Sequence, residues 1–257
     1  GAAICPFYDC LADSSVHHVL VRTEQNAAHA ASGYARISGR PGVCIATSGP
    51  GATNLLTGIA SAYMDSIPLV VITGQVRSDL LGRDVFQEAD ITGAAEPFTK
   101  HSYIVKRAAD IPQIFKEAFH IASTGRPGPV LIDVPIDMQQ HSFSNFTYDK
   151  PVDIIGYKPR IQGHSLQVRK AVEALAACKR PVLCAGGGVF SADAQKELAA
   201  FVEKYHMPTV TTMMGIGALP SDHPYYLGML GSHGCAPANT AMRDADLVLM
   251  AGARVGD

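Results

Sequence analysis

Few side chains of this sequence stand where they could do chemistry. Glu24 follows the apolar run HVLVRT and opens a segment in which Ala27, Ala28, Ala31, Tyr34 and Ala35 share one helical face. A carboxylate at the carboxyl end of a parallel strand lies where open α/β sheets bind ligands. An acid in a first helical turn also complements the helix dipole. Position alone leaves both readings open. Residues 48–54, SGPGATN, join the apolar run VCIAT to a helical run over 55–64. Gly49 and Gly51 there would let backbone N–H groups approach a ligand, or would shape a tight βα turn. The pattern is Gly-x-Gly-x-x-Asn, so the third glycine of the dinucleotide fingerprint is missing. Gly186, Gly187 and Gly188 follow another apolar run. One glycine suffices for a left-handed residue, so three point to close approach of a phosphate or a flat cofactor. Phe86, Gln87, Lys100 and His101 could rim a substrate pocket or be ordinary loop polarity. His233, between glycines in GSHG, reads more readily as a loop histidine than as a ligand.

These residues need a scaffold. Short apolar runs at 18–22, 43–47, 68–73, 130–134, 182–185, 208–212 and 246–251 read as strands. Their continuous apolar text suits a parallel sheet covered on both faces. Amphipathic segments alternate with them, over 111–124, 166–177 and 191–205. The expected fold is α/β, doubly wound. Residues 139–165 are polar, contain Pro151 and Pro159 and keep no period, which marks a linker. That divides the chain into a domain over 1–141, a linker over 142–165 and the first part of another domain over 166–257. Residues 75–104 form a long stretch without strong period, and such stretches are usually functional.

Composition narrows the classes. The 257 residues are 47% hydrophobic and 17% charged, with formal net charge -2. Disorder is excluded, and there is no charge footprint for a nucleic acid or an anionic membrane. The longest apolar runs are too short to span a bilayer. Six cysteines form no CxxC pair, and the ten histidines show no metal-ligand spacing. A cytoplasmic setting, or an organelle lumen after processing, fits best. The first residue is Gly1, and the text stops in a strand-like run ending at Asp257. The expectation is a fragment.

Taken together, the motifs resemble the thiamine-diphosphate enzymes, most closely the acetolactate synthase family of large catalytic subunits. The matching text includes GAAICPFYDCL at 1–11, RTEQNAAHAASGYAR at 22–36 and TSGPGATNLLTGIASAYMDSIPLVVITGQV at 47–76. It continues through DVFQEADI at 84–91, FTKHSY at 98–103, STGRPGPVLIDVPIDMQ at 123–139 and GGGV at 186–189. TTMMGIGALP at 211–220, GMLGSHG at 228–234 and GARVGD at 252–257 complete it.

The resemblance implies a pyrimidine-binding domain, without its first strand and helix, over 1–141. The first part of an FAD-binding central domain would follow over 166–257. It implies that Glu24 hydrogen-bonds the aminopyrimidine of thiamine diphosphate. That favours the tautomer able to take the thiazolium C2 proton, which makes the cofactor a carbon nucleophile. Pro50 and Asn54 would line the aminopyrimidine, with Gly49 and Gly51 shaping the turn, and Gln87 would stand near the reacting end of the cofactor. Phe86 and Lys100 would flank the substrate entrance, and Gly1 would belong to a turn near the reaction centre. Arg126, Gly186, Gly187, Gly188, Thr212 and Met213 match FAD contacts, as do His233, Gly234, Gly252 and Arg254. Ser232 and Gly256 depart from the common Met and Asp of the family. No metal ligand is expected in this chain, the Mg2+ site being implied for a carboxyl-terminal domain.

The implied activity condenses two 2-keto acids, pyruvate with pyruvate or 2-ketobutyrate, with loss of carbon dioxide, in branched-chain amino acid synthesis. The fragment alone is expected to be inactive. A complete protein would be a homodimer or homotetramer, with a regulatory small subunit as a further partner. Another thiamine-dependent 2-keto acid decarboxylase or carboligase is the alternative, and a non-catalytic nucleotide-binding module is the reading from a different class.

Overall fold

A computed structural model describes residues 1–142 and 146–255. Two compact units divide the chain, residues 1–159 and 160–257. Each is a four-stranded parallel sheet with helices between its strands.

The first unit runs α1 (Cys5–Ala12), α2 (Glu24–Ser38), β1 (Gly42–Ala46), α3 (Pro50–Asn54), α4 (Leu56–Met64) and β2 (Leu69–Gln75). It continues with α5 (Ile91–Ala95), β3 (His101–Ile104), α6 (Ile111–Ser123), β4 (Pro129–Pro135) and α7 (Ile136–Gln140). The sheet order is β1-β2-β4-β3. Every residue of the central strands β2 and β4 is buried, the polar Thr73, Gln75 and Asp133 among mostly apolar neighbours. Ile121, Ala122 and Ala118 of α6 pack on Val70, Ile72, Val130 and Ile132 to form the core.

Small residues bring α2 close. Its buried face is Ala28, Ala31, Ser32 and Ala35. A β-carbon on Gly42 would lie 2.0 Å from the Ala31 carbonyl oxygen, and one on Gly58 2.4 Å from the Ala28 Cβ. Glycine opposite alanine thus seats α2 tightly against β1 and α4, and this seating delivers Glu24 to the end of β1.

The second unit runs α8 (Ser165–Ala177), β5 (Pro181–Ala185), α9 (Gly188–Ser191), α10 (Gln195–Tyr205), β6 (Thr209–Thr211), β7 (Tyr226–Met229), α11 (Ala236–Asp244) and β8 (Leu247–Ala251). Its order is β7-β6-β5-β8. From β5 the chain first builds outward on one side, then returns to add β8 on the other. The gap between the exits of β5 and β8 is therefore a topological switch point.

The α/β expectation holds, with corrections. Residues 18–22 form no strand: Val19 and Leu20 are exposed, β1 ends the sheet, and no neighbour supplies a ladder. β3 and β7 lie in text that gave no strand signal. The helix expected from 191 begins only at Gln195: α9 ends at Ser191, and Asp193 at φ +51° separates it from α10. Part of the expected linker is docked on the first unit. The Tyr157 hydroxyl donates to the Thr124 carbonyl at 2.8 Å, and Lys116 Nζ donates to the Tyr148 and Lys150 carbonyls. Phe143, Ser144 and Asn145 of that linker, and Gly256 and Asp257 at the end, lie outside the described residues.

Candidate functional site

Glu24 is the first residue of α2, half-buried, preceded by Thr23 with extended backbone. Asn54, the last residue of α3, donates from Nδ2 to Glu24 Oε2 at 3.0 Å. Glu24 Oε1 faces Gly51, where a β-carbon would stand 3.5 Å away, and it accepts no hydrogen bond among the described residues. Thr47 sits below, and its buried Oγ1 has no partner. A β-carbon on Gly1 would strike that oxygen at 2.5 Å, and one on Gly51 would meet Thr47 Cγ2 at 2.7 Å. Gly1, Glu24, Thr47, Gly51 and Asn54 therefore meet at the carboxyl end of β1. One carboxylate oxygen is fixed and the other is open.

Gly49 precedes α3 with φ +58° and ψ −122°, a conformation open essentially only to glycine. Its Cα side faces Gln87, whose carbonyl oxygen would lie 2.8 Å from an added β-carbon. Gln87 itself has φ +59°. A non-glycine residue held there costs about 1 kcal/mol or more and persists only where its surroundings impose it. The imposing contacts are visible. Glu88 accepts from the backbone N–H groups of Gly82 and of Val85, the latter at 3.1 Å, and closes 82–88 on itself. Those two N–H groups, Gly82 first, hold its carboxyl below the ordinary range. Ser78 is tied to Asp137 through its N–H at 2.9 Å and through its hydroxyl. The loop so shaped presents Phe86, 87% exposed, and places Gln87 beside the Gly49 turn.

Residues 1–94 match the thiamine pyrophosphate enzyme N-terminal TPP binding domain, and residues 168–257 match the thiamine pyrophosphate enzyme central domain. The chain belongs to the thiamine pyrophosphate enzymes. Over its whole length it is 51% identical to the probable acetolactate synthase large subunit of Methanocaldococcus jannaschii, of which it covers 44%. It is 52% identical to the acetolactate synthase large subunit of Corynebacterium glutamicum, covering 41%, and 50% identical to that of Buchnera aphidicola, covering 45%. The chain thus spans less than half the length of these relatives.

Other expected positions in this thiamine pyrophosphate enzyme chain fall elsewhere. Lys100 is not on the loop rim. Its N–H pairs with the Pro129 carbonyl at the amino end of β4, the opposite edge of the sheet from Glu24. Its ammonium donates to the Ile121 and Thr124 carbonyls and to the Tyr157 hydroxyl. It caps the carboxyl terminus of α6, where a cation also suits the helix dipole. Reading 75–104 as one continuous loop hid β3, and with it this placement. Arg126 is at the same amino edge, donating to Ser66 Oγ at 2.8 Å and to the Tyr63 carbonyl at 2.9 Å.

In the second unit, the positions matched to FAD gather at the strand exits. Gly186–Gly188 follow β5, Thr212 and Met213 follow β6, His233 and Gly234 follow β7, and Gly252 and Arg254 follow β8. Protein contacts account for the triple glycine. Gly186 would put a β-carbon 2.5 Å from the Gly252 carbonyl oxygen, Gly187 3.0 Å from Met214 Cβ, and Gly188 2.6 Å from Gly252 Cα. Gly188 N–H donates to the Gly252 carbonyl at 2.9 Å. Packing within the protein therefore already calls for glycine at these positions, against backbone at Gly186 and Gly188 and against the Met214 side chain at Gly187. His233 is exposed in a turn.

Sequence reasoning missed Thr47, Gln75, Glu88 and Asp133. Asp133 carried a signal, a lone charge inside the apolar strand text VLIDV. No helix among the described residues is long and apolar enough to cross a membrane, and no group of three His, Cys, Asp or Glu among them could hold a metal ion.

Proposed function

We propose that this chain is part of an acetolactate synthase large subunit, condensing two 2-keto acids, pyruvate with pyruvate or 2-ketobutyrate, with release of carbon dioxide. The observation that carries the reading is the half-buried Glu24 carboxylate, one oxygen held by Asn54 and the other open, at the end of β1. The fit to thiamine diphosphate is chemical. An aminopyrimidine needs one carboxyl partner for a ring nitrogen and close backbone for a flat ring; Glu24 supplies the first, and the Gly49–Gly51 turn supplies the second. When bound, thiamine diphosphate supplies a carbon nucleophile and an electron sink for decarboxylation. Glu24 Oε1 holds or accepts the proton at the ring nitrogen. Asn54 fixes the carboxylate so that this oxygen keeps its aim. Pro50 and Asn54 would flank the ring, and Gln87 and the exposed Phe86 stand where the loop meets the Gly49 turn.

The second unit is proposed to bind FAD at the exits of β5 and β8; support comes from the switch point, where open sheets take nucleotides. A domain division near 141 and 166 goes with this assignment. The diphosphate and its magnesium ion are assigned to parts of the enzyme beyond these residues. A homodimer or homotetramer in the cytoplasm, with a regulatory small subunit, completes the proposal.

The test is Glu24→Gln in the complete enzyme. Exchange of the cofactor's C2 proton should slow by about 10²–10⁴-fold, the range of a lost acid–base partner. An unchanged exchange rate removes Glu24 from the chemistry.

A further inference from the structure

Asp133 is 1% exposed in the middle of β4, in register with Thr73 of β2. Thr73 Oγ1 donates to Asp133 Oδ1 at 2.6 Å, and Gln75 Nε2 donates to Asp133 Oδ2 at 2.9 Å. Gln75, 3% exposed, spends its second Nε2 hydrogen on the Ala89 carbonyl at 2.9 Å. Its Oε1 accepts from the Val76 N–H at 2.9 Å. Turning the amide round would set its oxygen against two acceptors, so the orientation is fixed. Ala89 is two residues beyond Gln87. A continuous line of hydrogen bonds, buried at Asp133 and part-buried at Ala89, thus runs from the sheet interior to the loop that touches Gly49.

We propose that Asp133 and Gln75 are positioning residues: they tether Ala89 to the centre of the sheet and thereby hold Gln87 against the Gly49 turn. The use of that loop in catalysis rests on the thiamine diphosphate reading; the tether itself does not. Both protonation states of Asp133 preserve it. Burial, and the charge of Asp90 at the start of α5, push the Asp133 carboxyl up to about 7. The protonated acid can donate from Oδ1 to Thr73 Oγ1, since a hydroxyl accepts as well as donates, and leaves Oδ2 for Gln75. Asparagine reproduces that protonated pattern.

The experiment is amide hydrogen exchange on the intact protein, without cofactor, for Gln75→Met, Asp133→Val and Asp133→Asn. Gln75→Met keeps length and volume but removes the tether. Exchange at residues 84–89 should rise about three- to tenfold, the scale of one lost amide–carbonyl hydrogen bond, while the amides of β2 and β4 stay within about twofold. Asp133→Val should loosen the same loop, and Asp133→Asn should restore protection. Unchanged loop exchange in Gln75→Met overturns the proposal, as does equal loosening of sheet and loop. If Gln75→Met fails to fold, loss of loop protection in Asp133→Val with recovery in Asp133→Asn supports the tether, and equal behaviour of those two variants overturns it. Turnover of the complete enzyme is a separate arm. A loosened loop with unchanged kcat leaves the tether standing and counts against the assigned role of the loop.

Discussion

Two parallel four-stranded sheets secure their exit loops by different physics. In the first unit the central strands bury Thr73, Gln75 and Asp133, and hydrogen bonds from these side chains reach the loop at Ala89. In the second unit the buried polar residues among those described are Thr209 and Thr211, and the exits are locked by glycine backbone packed on glycine backbone. A polar tether is strong only while every partner is present, because an unmatched buried group costs about 1–3 kcal/mol. A steric lock has no titratable part but tolerates no added atom. The first unit should therefore respond to pH and the second to volume.

The largest expected effect tests the polar side. The folded Asp133 carboxyl is raised to about 7 from an ordinary value of 3.8. Below pH 4 it is protonated in both the folded and unfolded chains and contributes nothing. Between pH 4 and 7 the unfolded chain gives up this proton first, so stability falls as pH rises and is flat above 7. The span is up to about 4 kcal/mol. Urea midpoints at pH 4 and pH 8 should show this loss in the parent and not in Asp133→Asn, which becomes the more stable protein at pH 8. Parallel slopes for the two would end the contrast.

Next comes the steric side. Gly186→Ala should cost about 3 kcal/mol, since its β-carbon meets the Gly252 and Ala253 backbone at 2.5–2.6 Å. Exchange protection should drop in β5 and β8 and stay unchanged in β2 and β4, equally at pH 5 and 8. The smallest effect sharpens the comparison within the first unit. Gly49→Ala should cost about 2 kcal/mol through its positive φ and its contact with Gln87. Exchange at residues 84–89 should rise less than in Gln75→Met; a larger rise would make the Gly49 contact the main anchor.

Legibility in the sequence followed the same division. Apolar strands buried on both faces announced themselves, whereas Glu24, Gly49 and Asn54 stood out only through the family resemblance, local position having left each of them open. What depended on pairing stayed hidden. Residues 18–22 carry strand-like text, but a strand exists only with a neighbour. HSYI and YLGM are short and partly polar, and become strands because β4 and β6 offer edges. Lys100 was read as a loop cation because β3 was unseen. Asp133 and Gln75 lie 58 residues apart in sequence, so no local pattern joins them.

The order of the second sheet bears on how the chain is made. β5 is complete at Ala185, but its partner on one side starts at Leu247. About 60 residues must be added in between, which at roughly 5–20 residues per second takes several seconds. Through that interval one edge of an apolar strand has no native neighbour, and bare edges invite pairing with other chains. A holding chaperone on ribosomes carrying this segment would have that bare edge to cover.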